Sequence, residues 1–170
     1  KPPLFNWIII GFFKLFNSYS EFVFRLPSVI PHFLLALATW IVSRKHIGEK
    51  AGIIAAFGFL LSGRLLTRDS MLGHIDLAFS LITFIGFYVV FFYHKRAKFY
   101  HLFLISYLLA AAGTLMKGLP SILFQGLTVG VWFLYKRDFK KLFSLSHLTG
   151  ILSYILIVGG YFFLYAQQNS

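Results

Sequence analysis

No cysteine occurs in the 170 residues, which excludes a disulfide framework and any thiolate metal site. Acidic residues are almost as scarce, 5 Asp and Glu against 16 Lys and Arg. Charged residues of both signs make up 12% of the chain, about half of what covers a water-soluble domain. Proline is limited to five positions, and four of them fall at Pro2, Pro3, Pro27 and Pro31. The first 30 residues lack the ordered n-region, h-region and A-x-A-like site of a signal peptide, so none is expected there. Lys1, with no initiator Met, is expected to be an internal position of a longer protein.

What fills the chain is apolar. Hydrophobic residues account for 58%, aromatics for 20%, and mean hydropathy is +0.77. These values describe an integral membrane protein. Twenty-two Phe and nine Tyr suit lipid-facing packing and interfacial belts better than base stacking. The net charge of +11 raises a nucleic-acid partner, but the placement of the charge argues against one. Arg44, Lys45 and Lys50 lie in one polar break, Lys95, Arg96 and Lys98 in a second, and Lys136, Arg137, Lys140 and Lys141 in a third. These are ten of the sixteen cations, all in short breaks between apolar runs, as the positive-inside rule places them.

A membrane-crossing helix needs about 20 mostly apolar residues. Runs of that kind lie near 22–43, 51–66, 71–93, 99–116, 119–135 and 142–165. The expected fold is therefore an all-α membrane bundle of about six spans in a single domain. Pro27 and Pro31 interrupt the first span, a tolerated feature where neighbouring helices satisfy the freed carbonyls. Leu4–Phe16, too short to cross and carrying Lys14, reads as an interfacial helix within an interfacial segment over 1–20. Breaks 44–50, 94–98 and 136–141 follow alternate spans and so share one side, the cytoplasmic one. The segments with Lys1, "GRLLTRDSM" at 63–71 and "MKGLP" at 116–120 then face the other side. In span five, Gly126 and Gly130 form G-x-x-x-G, read as close helix packing.

Cations on the basic side are accounted for by topology; those opposite are not. Asp69 suits the first turn of span three, where a carboxylate meets unpaired N–H groups, and Arg64 ends span two. Asp76 lies seven residues on, on the same face and about 10 Å deeper at 1.5 Å per residue, with Gly73 between; His74 lies off that face as a packed or hydrogen-bonded histidine. Lys117 precedes a Gly118–Pro120 turn and either snorkels or offers its ammonium to an anionic headgroup. Glu21 and Arg25, at i and i+4, either form a helical ion pair or leave Arg25 free to fork onto a phosphate. Taken together, Lys1, Arg25, Arg64 and Lys117 with Asp69 suit an anionic lipid-linked substrate held at headgroup level. Pro2 and Pro3 stiffen the start of the first helix behind Lys1.

The ordered set "KPPL", Glu21 to Ser28 as E-x-x-x-R-L-P-S, Arg64 to Asp69 as R-x-x-x-x-D, and Lys117–Gly118 resembles a family over nearly the whole chain. This is the family of polytopic glycosyltransferases related to dolichyl-phosphate-mannose protein mannosyltransferases and to bacterial aminoarabinose transferases of lipid A, in the domain shared by RgtA/B/C/D-like bacterial members. The resemblance implies a GT-C fold in the cell membrane, a bacterial inner membrane, with the active face extracytoplasmic. It implies a polyprenyl-phosphate-sugar donor, inverting transfer to a lipid, glycan or protein acceptor, and no nucleic acid. Lys1, Arg64 and Lys117 are the expected phosphate ligands, with Glu21, Arg25, Asp69 and Gly118 in support. The catalytic base is expected upstream of Lys1. The chain departs from the family pattern at Arg68, where relatives carry Pro, and lacks the Pro-Trp that closes the seventh helix. No metal or other cofactor is read from the residues, and the resemblance leaves room for a divalent cation held outside this stretch. Two rivals remain: a transporter or flippase of lipid-linked saccharides, for which Asp76 and His74 would line a polar route, and a non-catalytic membrane scaffold.

Overall fold

The computed structural model describes residues 2–63 and 72–168, so Lys1, Arg64 and Asp69 of the expected site, and Arg68, lie outside the described residues. Those described form helices without strands: α1 (Leu4–Phe16), α2 (Glu21–His46), α3 (Glu49–Leu60), α4 (Ile75–Lys95), α5 (Phe99–Lys117), α6 (Pro120–Lys136) and α7 (Leu145–Gln168). Helices α2, α4, α5 and α7 are long and apolar enough to cross a bilayer, whereas α3 and α6 run for 12 and 17 residues. Four of the six expected spans thus have, among the described residues, a helix long enough to cross, and the helices near 51–66 and 119–135 are shorter; the protein is an all-α membrane protein. Several boundaries differ from the sequence reading. Helix α4 starts at Ile75 rather than near 71. Residues Phe139–Phe143 form a 3-10 turn, so α7 begins at Leu145 rather than at Leu142.

The described residues fall into two compact units, Pro3–Leu81 and Lys1–Pro2 with Ile82–Ser170, divided within α4. In the first, α2 presents a continuous buried face, Val23, Pro27, Ser28, Pro31, His32, Leu35 and Ala36, at the three- and four-residue steps of a helix. Both prolines lie on that face, where packing rather than lipid surrounds the carbonyls that their missing N–H groups leave unpaired. Helix α3 crosses α2 so closely that a Cβ on Gly52 would stand 3.0 Å from the Trp40 carbonyl oxygen. At the start of α2, Ser20 caps the helix by accepting from the Val23 N–H at 3.4 Å. Helix α1 ends on Asn17 in the left-handed conformation, with the Ser18 N–H donating back to the Phe13 carbonyl at 3.2 Å. Thirteen residues span about 20 Å, short of a crossing. With Lys14, Trp7 and Leu15 exposed and Phe5 buried, α1 has the form of the expected interfacial helix.

The second unit is centred on Val90, Leu102, Phe103, Val129 and Phe133, with Phe103 and Phe133 stacked at 5.4 Å. Polar side chains tie its helices together. Gln125 donates to Ser106 Oγ at 2.8 Å, and Ser121 donates at 2.8 Å to the Ala110 carbonyl, which also accepts from Thr114 within α5 at 2.9 Å. Thr114 also meets the Tyr154 hydroxyl at 3.1 Å, and the Tyr107 hydroxyl meets His147 Nε2 at 2.7 Å. Interhelical bonds of this kind average about 0.6 kcal/mol in membranes. They fix register more than they add stability.

Close helix contact in this unit occurs at Gly150, not at the G-x-x-x-G pair. A Cβ on Gly150 would come within 2.7 Å of Tyr107 and 3.0 Å of the Phe103 carbonyl oxygen, whereas nothing described lies within 4 Å of one on Gly126 or Gly130. The close-packing reading of Gly126 and Gly130 is therefore corrected for the described residues. The motif gives a small face but no partner to receive it. Gly150→Ala is expected to push α7 off α5 and cost about 1–3 kcal/mol, read as a lower thermal midpoint in detergent. Gly126→Ala should leave the midpoint unchanged or raise it.

Candidate functional site

At the end of the chain's helices away from the basic breaks, the first unit brings together the start of α2, the end of α3 and the approach to α4. Two hydrogen bonds do this. Ser28 Oγ donates to the His74 carbonyl at 2.9 Å, and His32 Nε2 donates to the Leu60 carbonyl at 3.4 Å. The last carbonyls of a helix have no partner inside it, and Leu60 is the final residue of α3, so His32 acts as its cap. A carbonyl acceptor puts the ring proton on Nε2, leaving Nδ1 as a lone pair, and that atom is buried without a hydrogen-bond partner. Gly73, at φ +68°, lies against Phe24; a Cβ there would meet the ring at 2.7 Å. Ser28 and Phe24 stand within or beside the R-L-P-S motif, so the motif's local role here is to join α2 to the segment before α4.

Glu21 and Arg25 form the ion pair that their spacing suggests, on the exposed first turns of α2. An exposed i,i+4 pair contributes about 0.3–0.5 kcal/mol, so it orients the guanidinium more than it holds the helix. Asp76 corrects the sequence reading. Because α4 begins at Ile75, Asp76 lies in its first turn, not two turns inside a span, and takes the helix-start position foreseen for Asp69. The partial positive charge of a helix start stabilises a carboxylate there. Among the described residues, Asp76 and His74 stand at the helix entrance and line no face through the membrane. His74 engages Ser28 through its backbone carbonyl.

In the second unit, Lys117 is the last residue of α5 and is exposed. Gly118 closes the helix with its N–H bonded to the Thr114 carbonyl at 2.9 Å and φ at +87°, a conformation that favours glycine. Pro120 then opens α6 at its first turn, where its missing N–H costs nothing. Pro2 packs beside this turn at ordinary contact distance, its Cγ 3.8 Å from where a Cβ on Gly118 would be. The "KPP" and "MKGLP" segments, more than a hundred residues apart in sequence, meet at this turn through Pro2. The sequence reading gave Gly118 a close backbone approach by an anionic headgroup, whereas the neighbour described at this turn is Pro2. Among the described residues, no three or more His, Asp or Glu side chains gather as a metal site would require.

The arrangement presents Lys117 on a sharp, proline-bounded turn beside the N-terminal segment, and Arg25 held by Glu21 near a capped helix junction. Both features suit an anionic group at the membrane surface. Comparison with known proteins gives the wider frame. A protein of Aquifex aeolicus (strain VF5), itself uncharacterized, is 27% identical over 164 residues, covering 96% of this chain and 35% of that protein. The chain thus spans about a third of the length of the curated relative it matches. No solved structure matches it. Residues 1–162 match the dolichyl-phosphate-mannose-protein mannosyltransferase family, and on that match the chain belongs to this family.

Proposed function

We propose that the protein containing this chain is an integral-membrane glycosyltransferase. It moves a sugar from a polyprenyl-phosphate donor to an acceptor on the extracytoplasmic side, with inversion at the anomeric carbon. The observation that carries this reading is the family match over residues 1–162. The Lys117–Gly118 turn packed beside Pro2 supports it, because it brings the "KPP" segment to a cation at a helix end.

In this reading Lys1, Arg64 and Lys117 hold the donor phosphate, and Arg25, oriented by Glu21, adds to the same positive field. Asp69 orients Arg64 or the sugar, and Gly118 lets the phosphate reach the backbone. The acceptor oxygen attacks the anomeric carbon from the face opposite the phosphate. The bond from that carbon to the phosphate oxygen breaks, and the electron pair leaves with the polyprenyl phosphate. The acceptor proton passes to a carboxylate base, which is not assigned to any acid of this chain. Cations aimed at the departing phosphate stabilise charge that develops in the transition state, where one well-placed donor is worth about 10²–10³ in rate.

Lys117→Ala in the full-length protein should lower kcat for transfer from a polyprenyl-phosphate sugar by about a hundredfold. Insertion and the thermal midpoint should stay unchanged, because the side chain is exposed. Sugar-transfer assays in proteoliposomes with a panel of polyprenyl-phosphate hexoses and pentoses would show this. Unchanged turnover removes Lys117 from the site. Sidedness is open to direct measurement because this stretch contains no cysteine. In a cysteine-free background, Leu119→Cys should react with a membrane-impermeant maleimide added outside intact cells, and Arg137→Cys only after the membrane is opened. The reverse pattern would place the Lys117 turn on the cytoplasmic side and end the extracytoplasmic reading.

A further inference from the structure

The basic end of the second unit contains a second anion-binding opportunity, separate from the Lys117 turn. Helices α4 and α6 are separated there by an open groove of about 1160 Å³, walled by Phe87, Phe91, Leu127, Val131, Trp132 and Tyr135. From Phe124 to Tyr135 it follows α6 for about 16 Å at 1.5 Å per residue, roughly half the hydrocarbon thickness of a bilayer and so one leaflet. Its floor is rigid, with Phe91 and Trp132 meeting edge to face at 5.3 Å.

The mouth of the groove is cationic, and its cations are held by the lining rings themselves. Lys95 Nζ lies 4.4 Å from the Phe91 ring centroid, and Lys136 Nζ lies 5.2 and 5.0 Å from the Trp132 and Tyr135 centroids. Arg96 and Arg137 flank them. The breaks at 94–98 and 136–141 hold seven cations and a single acid, Asp138, and that carboxylate is engaged by His94 at 3.2 Å. Even with the Asp138 carboxylate counted, the two breaks keep a large excess of positive charge. The Trp132 indole N–H, in the groove wall, also has no hydrogen-bond partner.

From this geometry we propose that the α4–α6 groove is a binding site for an anionic phospholipid of the leaflet on the basic side. One acyl chain lies between Phe87–Phe91 and Leu127–Tyr135, and the phosphate sits among Lys95, Arg96, Lys136 and Arg137. A one-leaflet apolar slot ending in ammonium and guanidinium groups matches a phosphodiester on a fatty chain at both ends. Each cation near a membrane surface contributes on the order of 1 kcal/mol toward an acidic lipid. The proposal does not depend on the transfer reaction, because the site lies at the opposite ends of α4 and α6 from Gly73 and Gly118.

The full-length protein in neutral detergent, offered equal amounts of phosphatidylglycerol and phosphatidylcholine with identical chains, should retain phosphatidylglycerol at least tenfold better by native mass spectrometry. Lys95→Gln with Lys136→Gln should weaken that preference about fivefold per cation and leave phosphatidylcholine binding unchanged. Val131→Trp, on an exposed position that cannot disturb the core, should fill the slot and abolish retention of both lipids. Equal retention of the two lipids, or full retention in Val131→Trp, overturns the proposal. So does oxidative disulfide trapping, in a cysteine-free background, of Val131→Cys to a second cysteine placed on another helix of the full-length protein, which would show that protein fills the groove.

Discussion

Hydrocarbon offers no water to a backbone group that lacks a partner, so each helix end or proline inside the membrane must find one within the protein. That constraint shapes the Pro3–Leu81 unit more than side-chain volume does. Helix α3 stops after 12 residues, leaving terminal carbonyls that in water would need no help. His32 donates to one of them, and Ser28 donates to the carbonyl just before α4. Both residues sit one step along α2 from a proline, on the same buried face. The cost of breaking α2 twice is met by placing donors where the neighbouring elements end.

The second unit solves the same problem with hydroxyls and an amide. Ala110 accepts from both Thr114 and Ser121, and Gln125 reaches Ser106 across α5 and α6. Tyr107, whose hydroxyl meets His147, also forms one wall of the contact at Gly150. The Tyr107–His147 bond and the Gly150 contact thus act at one α5–α7 interface. The bond sets how far along each helix the other may slide, and the glycine sets how near it may come. Cations over aromatic rings at the basic end hold that end at the headgroup level, each worth about 0.5–1 kcal/mol.

Much of this could be read from residue order because a bilayer imposes a simple length rule on apolar runs. The helices and the Glu21–Arg25 pair followed from spacing, and the kinship from "KPPL" and "RLPS". Helix ends were harder. The run around 71–75 is as apolar as the helix after it, so nothing in hydropathy moves the start of α4 from Met71 to Ile75. Gly73, at positive φ against Phe24, is the residue that stops helix there, and its role shows only when α2 is beside it. The four-residue shift relocates Asp76 from the interior of a span to its entrance, where it no longer marks a polar route among the described residues. Gly126 and Gly130 mislead for a related reason: a small-residue motif gives the shape of one surface, and packing needs two.

Gly118 shows how far a turn can be foreseen from sequence. A cation before Gly and Pro marks a turn in any sequence, and turn chemistry alone says that the backbone there is open to close approach. What approaches is set by tertiary structure, and it is Pro2. Had the contact been a bulky aliphatic side chain, the turn would be a packing junction with a snorkelling lysine. A proline carries no backbone N–H to satisfy and little entropy to lose, so it can line a polar, solvent-facing turn at low cost. Gly118 at positive φ and Pro120 after it shape the turn that follows Lys117, and Pro2 packs against that turn at ordinary contact distance.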